Sequence, residues 1–397
     1  MFDSLTGTAS RRDAVKATAV GVGASLGLVG TVSADDDAVE FDEPITITPD
    51  DSGTTFVQTA DFDGRVRIRP GVEDVTVDGN GYTITGGGVG GGSTDGPGIV
   101  NLTLQNLHLP DGGIGIDDLA DSVVRNNVLQ NFECEYVFGL RAVDNTIAGV
   151  LQIFENQADN VFARNVAATM QFYDDLAGSH RISNNFVTGP ASGAGIDVAI
   201  TNRFDGRLHI LDNYVANADG PGIALEDPDG LKPVIGRNVV IGNGSHGLFS
   251  DGDVASVTEN TFVGNGGDGV GTSEGNVSVG TFTKNAAVSN DGAGFNVAVD
   301  DDCLRNVAVS NGGEGFRVES SGAEVKFNRA TGNDGDGVVL AGSGFPFRKN
   351  EVTANGGDGV VIEADDIGVT RNRLCGNDGD QLVDDGDENR FANNLVY

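Results

Sequence analysis

From about residue 72 onward, short runs of alternating apolar and polar residues are broken every few positions by Asn, Gly and Asp. In Gly337-Val338-Val339-Leu340, Val338 and Leu340 face one way and Val339 the other. A period of two predicts strands, and the short spacing of turn residues predicts many of them. Self-comparison orders these strands. Asn238, Asn260, Asn285, Asn306, Asn328, Asn350, Asn372 and Asn394 recur at steps of 22, 25, 21, 22, 22, 22 and 22 residues. Five residues after each of the first seven stands another Asn, and ten residues after stands Leu248, Val270, Phe295, Phe316, Val338, Val360 or Leu382. Gly precedes that apolar residue in six of the seven, where it would supply a positive φ. Weaker copies run upstream through Asn213, Asn185, Asn165, Asn145, Asn127, Asn106 and Asn80.

Strand units repeated at a constant period bury their apolar face only by stacking on one another. The expected fold is therefore all-β, a single-stranded right-handed parallel β-helix of about 14 coils, because parallel crossovers are right-handed in nearly all cases. Stacking would place Asn on Asn at each bend, with amides bonding along the stack. A leucine-rich repeat, hinted at by Leu102-Thr103-Leu104 and Leu107, loses its pattern after residue 110.

Three segments follow. Residues 1–34 hold Ser10-Arg11-Arg12-Asp13-Ala14-Val15-Lys16, a small-residue stretch from Ala17 and Val32-Ser33-Ala34, which together resemble a twin-arginine export signal with its cleavage site. Residues 35–71 read as an N-terminal cap with strand-like Ile45-Thr46-Ile47 and Val66-Arg67-Ile68, and residues 72–397 as the β-helix. The coil at Leu395-Val396-Tyr397 has no cap of its own. Secretion or display at the cell surface is the expected location, with no membrane span in the mature chain.

Charge narrows the partners. The chain has 59 acids against 24 bases, a net charge of −35. Such a field repels nucleic acid and anionic lipid, and the acidic, lysine-poor surface resembles that of proteins from extreme halophiles. Cys134, Cys303 and Cys375 lack the spacing of a zinc site. Cys303 and Cys375 fall on repeat positions otherwise filled by Val, Phe or Thr, and are expected in the core. Gly86-Gly87-Gly88-Val89-Gly90-Gly91-Gly92 reads as a flexible loop, and Asp227-Pro228-Asp229 as a turn.

The coils, with the opening stretch Val75-Thr76-Val77-Asp78-Gly79-Asn80-Gly81-Tyr82-Thr83-Ile84, resemble the right-handed β-helix repeats of the pectate-lyase-like superfamily, closest to its NosD-type and carbohydrate-binding/sugar-hydrolase group. That resemblance covers about residues 72–397 and implies the fold. Enzyme motifs of the superfamily are incomplete: Asp117-Asp118 and Asp174-Asp175 supply an acidic doublet, Gly244-Ser245-His246-Gly247 only approximates a histidine motif, and an Arg-Ile-Lys element is missing downstream.

Chemistry is therefore sought where the repeat breaks. Between Asn127 and Asn185 the coils shorten, and Glu133 and Glu135 alternate with Phe132, Cys134, Tyr136 and Phe138. Nineteen residues on come Gln152 and Phe154, and nineteen further Gln171 and Tyr173. Stacked, these form a patch of acids, amides and rings suited to a sugar; facing inward, they are core. Longer coils after it could raise walls bearing Asp197, Arg203, Arg207, His209 and Glu226. The carbohydrate-binding candidates are Glu135, Gln152, Phe154, Gln171, Tyr173, Asp197 and Glu226; the catalytic candidates are Glu133, Glu135, Asp174 and Asp175, as paired carboxylates working as acid and base. Asp268, Glu314, Asp336, Asp358 and Asp380 recur along the stack and suit either Ca²⁺, a hard cation wanting oxygen ligands, or a solvated acidic edge. Two functions remain: a secreted protein that binds or modifies a polysaccharide or cell-surface glycan, and a non-catalytic structural or adhesive rod.

Overall fold

The computed structural model describes residues 38–93, 98–189, 193–200, 206–228, 230–231, 233–272 and 275–397. The export-signal segment lies outside them. Among the described residues the only helix is the 3₁₀ turn Pro49–Asp51, and the strand pairings are parallel. The strands form a 33-stranded sheet, made of two ladders that merge where strands such as Phe295–Leu304 run through the bend, and a separate 14-stranded sheet. A short two-stranded pair, Phe62–Asp63 with Ile84–Thr85, stands apart. Successive coils stack in strict register. One interior row runs Val77, Leu104, Val124, Ala142, Phe162, Ile182, Ile210, Ile235, Val257, Phe282, Cys303, Val325, Phe347 and Val369, all buried. Apart from Phe62–Asp63, the strands of residues 39–71 already belong to these ladders, with Phe56 opposite Val77 and Ile47 opposite Ile68.

A spine of buried asparagines holds one bend of every coil from Asn127 to Asn372, continuing to Asn394. From Asn145 onward each side-chain Oδ1 accepts both the main-chain N–H and the amide N–H of the asparagine one coil earlier. For Asn306, the donors are Asn285 N at 2.9 Å and Asn285 Nδ2 at 3.1 Å. Its own Nδ2 donates back to the Phe282 carbonyl and forward to Asn328 Oδ1. A second spine of Asn243, Asn265, Asn290, Asn311, Asn333, Asn355 and Asn377 repeats the scheme at the next bend. Asn106 and Asn80 stay outside: the register puts Leu107 at the spine position, where its N–H donates to Asn127 Oδ1, and Asn106 instead bonds Asp78.

The spine satisfies an unusual backbone. The residue before each of its thirteen asparagines (Asn126, Asp144, Arg164, Asn184, Asp212, Arg237, Glu259, Lys284, Arg305, Phe327, Lys349, Arg371, Asn393) has φ between 53° and 60°. That left-handed conformation costs a non-glycine residue about 1 kcal/mol or more, and the amide bonds beside it offset the cost.

Glycine does the opposite of what its placement predicts. Gly269, Gly294, Gly315 and Gly337 are absent from the positive-φ positions; a Cβ on Gly294 would lie 2.4 Å from the Gly315 carbonyl oxygen and one on Gly337 2.2 Å from Val352. They are there because coils approach too closely for a side chain. The Gly86–Gly92 segment is likewise no loose loop. Val89–Gly91 is a ladder strand, and a Cβ on Gly91 would meet the Ile68 carbonyl at 1.9 Å. Cys303 is buried as expected, but Cys375 is half-buried, because its row (Val309, Thr331, Thr353) faces outward. Asp227 does form a turn, at φ 51°; Asp229 lies outside the described residues.

Candidate functional site

Six strands build the floor where the repeat breaks: Ile114–Ala120, Phe132–Phe138, Val150–Ala158, Thr169–Leu176, Ile196–Ala199 and Ile223–Glu226. Their inward row, Ile116, Cys134, Ile153, Phe172, Val198 and Leu225, is buried. The residues on either side face out as two parallel rows. One runs Glu133, Gln152, Gln171, Asp197; the other runs Asp117, Glu135, Phe154, Tyr173, Ala199, Glu226. All seven carbohydrate-binding candidates therefore share one surface. Phe154 and Tyr173 are half-buried and point outward, which removes the inward packing alternative.

The expected alternation of Phe132, Cys134, Tyr136 and Phe138 stops at Tyr136. Tyr136 has φ 53°, and Asp118, Glu155 and Asp174 on the neighbouring coils have φ 57°, 49° and 69°. A left-handed residue bends the strand and exchanges its faces, so Val137 is buried and Phe138 is 49% exposed. Asp174 sits at that bend beside the floor, and the side chain of Asp175 is outside the described residues. Two described residues of the long coils join the floor. Asp197 and Glu226 lie in the rows above, whereas Arg207 and His209 sit on Gly206–Leu211 around the corner, opposite Ser179 and Arg181. Arg203 is outside the described residues.

Ring and carboxylate chemistry converge on the floor. The Phe154 and Tyr173 rings pack with centroids 5.8 Å apart, and the Tyr173 hydroxyl donates to Asp197 Oδ2 at 2.9 Å. Burial, then that hydrogen bond and the charges of Asp197 and Glu226, pushes the Tyr173 hydroxyl well above its ordinary range. Asp197 is raised by burial against the lowering effect of Tyr173. Glu226 is raised by burial and by Asp197 and Asp251. At the other end Glu135 is raised by desolvation and by the charges of Asp117, Glu155 and Asp174, and Asp117 by burial. The ring pair thus lies between two groups of carboxyls that resist ionisation. Glu155 was missed by sequence reasoning, and Asp117, noted there only as part of an acidic doublet, precedes Glu135 by one 18-residue coil.

The repeating acids serve another purpose. Asp336 Oδ1 accepts the N–H of Asp358, Asp358 Oδ1 that of Asp380 and Asp268 Oδ1 that of Ala293, each at 2.7 Å; Glu314 gives its main-chain carbonyl to Gly294. The carboxylates of Asp268, Asp336 and Asp358 thus each cap a turn of an adjacent coil. Among the described residues no three His, Cys, Asp or Glu side chains are grouped so as to hold a metal ion. His246 likewise accepts the N–H of Asp268 through Nδ1 at 3.0 Å, a structural bond. A shallow depression lined by Asp253, Gly280, Asp300 and Asp301 shares no residue with the floor.

The family described as right handed beta helix region matches residues 153–279 and 274–397, most of the stacked coils. The chain belongs to this right-handed β-helix family. No curated protein matches the sequence. Similar solved β-helices include the periplasmic alginate epimerase AlgG (12% identity, 87% of this chain and 77% of that chain, TM-score 0.29). The receptor-binding domain of the siphovirus 9NA tailspike is 11% identical over 88% of this chain and 72% of its own, with TM-score 0.33. The A-module of mannuronan C-5 epimerase AlgE6 from Azotobacter vinelandii is 14% identical over 90% and 88%, with TM-score 0.25. At these identities and scores none bears on what this β-helix protein does, which rests on its own surface. Among the described residues no helix is long and apolar enough to cross a membrane.

Proposed function

We propose that this β-helix protein binds a polysaccharide on the floor formed by residues 114–226. The observation that supports the reading is the outward Phe154–Tyr173 pair, flanked on the same two rows by Gln152, Gln171, Asp197, Glu135 and Glu226. Rings give apolar area against sugar faces, and carboxyls and amides bind hydroxyls and fix orientation. Both floor rows carry acids and no base, so the sugar favoured here is neutral. Glu133 and Glu135 stand two residues apart on one strand and are the acid–base pair a catalytic version of the site would use.

Tyr173→Ala and Glu135→Gln are each expected to weaken binding of neutral oligosaccharides at least several-fold in calorimetric titration, with an almost unchanged melting temperature. Asp336→Asn, on the cap ladder, should leave binding as it is. If Tyr173→Ala unfolds the protein, or if no neutral polysaccharide is retained at all, the rod is structural or adhesive instead. The reading includes export. With Arg11 and Arg12 both changed to Lys, the protein should accumulate inside the cell, and undiminished secretion would remove the twin-arginine assignment.

A further inference from the structure

The bend residues ahead of the asparagine spine form a straight outward row, one side chain per coil. For most of its length this row neutralises itself. Arg164 makes a two-pronged pair with Asp144, Arg237 with Asp212, both at 2.7 Å, and Lys284 pairs with Glu259 at 2.7 Å. From Arg305 onward the acids stop. The next four residues are Arg305, Phe327, Lys349 and Arg371, with φ of 57°, 60°, 56° and 59°. Among the described residues Arg305, Lys349 and Arg371 have no carboxylate within ion-pair distance.

Phe327 sits in the middle of this row, 41% exposed. Lys349 Nζ lies 5.2 Å from its ring centroid, Arg305 Cζ 5.6 Å and Lys326 Nζ 5.8 Å. The flanking rows add Lys326 and Arg348 on one side and Arg329 and Arg373 on the other. Glu324 pairs with Lys326 and Arg348. Glu351 pairs with Arg373 at 2.5 Å and with Arg329 at 4.0 Å. Seven cations therefore stand against three carboxylates, Glu324, Glu351 and Asp302 one coil before Glu324, on a chain whose acids outnumber its bases 59 to 24. The screening length is about 10 Å at 0.1 M salt, so this local excess governs what meets the row, whatever the net charge.

We propose that the row Arg305–Phe327–Lys349–Arg371 is a binding stripe for an anionic polysaccharide, separate from the floor and not dependent on it. Coils stack about 4.8 Å apart, so four of them present charge, ring, charge and charge at constant pitch over roughly 14 Å. A linear glycan with acid groups spread along its sugars can meet successive cations while a sugar face covers Phe327. Duplex DNA, with one charge per roughly 1.7 Å, would be pressed against the acidic surface on either side. Carboxylate and sulfate share the required chemistry, and the probes below separate them.

The test is affinity electrophoresis of the mature protein in polygalacturonate, dextran sulfate, unmodified dextran and single-stranded DNA. Arg305→Asn/Lys349→Asn/Arg371→Asn removes the charges, and Phe327→Asn removes the ring; Asn tolerates positive φ, so the bends are preserved. The wild-type protein should be retarded by an anionic glycan, and retardation should fall with added salt. The triple variant should bind about ten-fold more weakly or worse, Phe327→Asn several-fold more weakly, with melting temperatures near wild type. Stronger retardation in polygalacturonate assigns carboxylate, and in dextran sulfate assigns sulfate. Should the triple variant be destabilised, Arg371→Asn alone still has to weaken binding. The proposal is overturned by no retardation in either anionic glycan, by unchanged retardation of a folded variant, or by tighter binding of the DNA. Tyr173→Ala should leave this binding intact, so the floor and the stripe stand or fall separately.

Discussion

Asn306→Ala is expected to lower the unfolding free energy by about 4 kcal/mol. The side chain is fully buried, accepts the N–H and amide of Asn285, and donates to the Phe282 carbonyl and to Asn328. Truncation leaves two donors and an acceptor without partners in a space too tight to hydrate well. Each orphaned group costs about 1–3 kcal/mol. The bend residue Arg305 then keeps its unfavourable φ without the bonds that offset it. Urea denaturation of the variant checks the value. A loss below about 1 kcal/mol would show that the spine is incidental to stability.

A second large effect depends on pH. His180 is buried in the core, its Nε2–H donates to the Ala177 carbonyl at 2.7 Å, and its Nδ1 has no partner. Burial, partly opposed by that bond and by Asp159, pulls its pKa from 6.5 down to about 4. Between those values the unfolded chain takes up a proton that the folded protein refuses. Stability is therefore complete above pH 6.5, is lost as pH falls and levels off below about 4, a total of about 3 kcal/mol. His209 is lowered too, by burial and by Arg181 and Arg207, and adds in the same direction. The raised carboxyls act in the opposite sense, so wild type must be compared with His180→Leu, which keeps them. Leu208 already fills the equivalent place one coil on. The variant should lose most of the decline in melting temperature between pH 7 and 5, and an equal decline in both proteins would refute the assignment.

Much of this molecule was legible in its sequence because one residue type marks every coil from Asn127 onward. A buried Asn at steps near 22 residues fixes the repeat, the register and the parallel pairing at once. Where coils vary in length, the same marker still placed Gln152 on Gln171 and Phe154 on Tyr173. Backbone conformation was not legible. The left-handed bend position holds Arg, Lys, Glu, Asp, Asn and Phe, so composition gives no hint of it. The repeat glycines Gly269, Gly294, Gly315 and Gly337, expected at positive φ, instead mark places where adjacent coils nearly touch. Asn106 shows the limit of spacing alone: it is one residue short of the spine position, which Leu107 holds, and only the stacked coils reveal it. The cation row escaped notice because its members are 22 residues apart and adjacent only after stacking.

The parallel ladders have a mechanical consequence. Their hydrogen bonds run from coil to coil, along the direction in which the coils succeed one another. Tension applied between the two ends of the stack loads these bonds in series, and only the outermost coil must yield at any moment. Extension should therefore proceed by peeling, one coil after another. Each step releases about 22 residues, or roughly 75 Å of chain, at forces that stay nearly level from step to step between Asn243 and Asn377, where every coil is held by the same two asparagines.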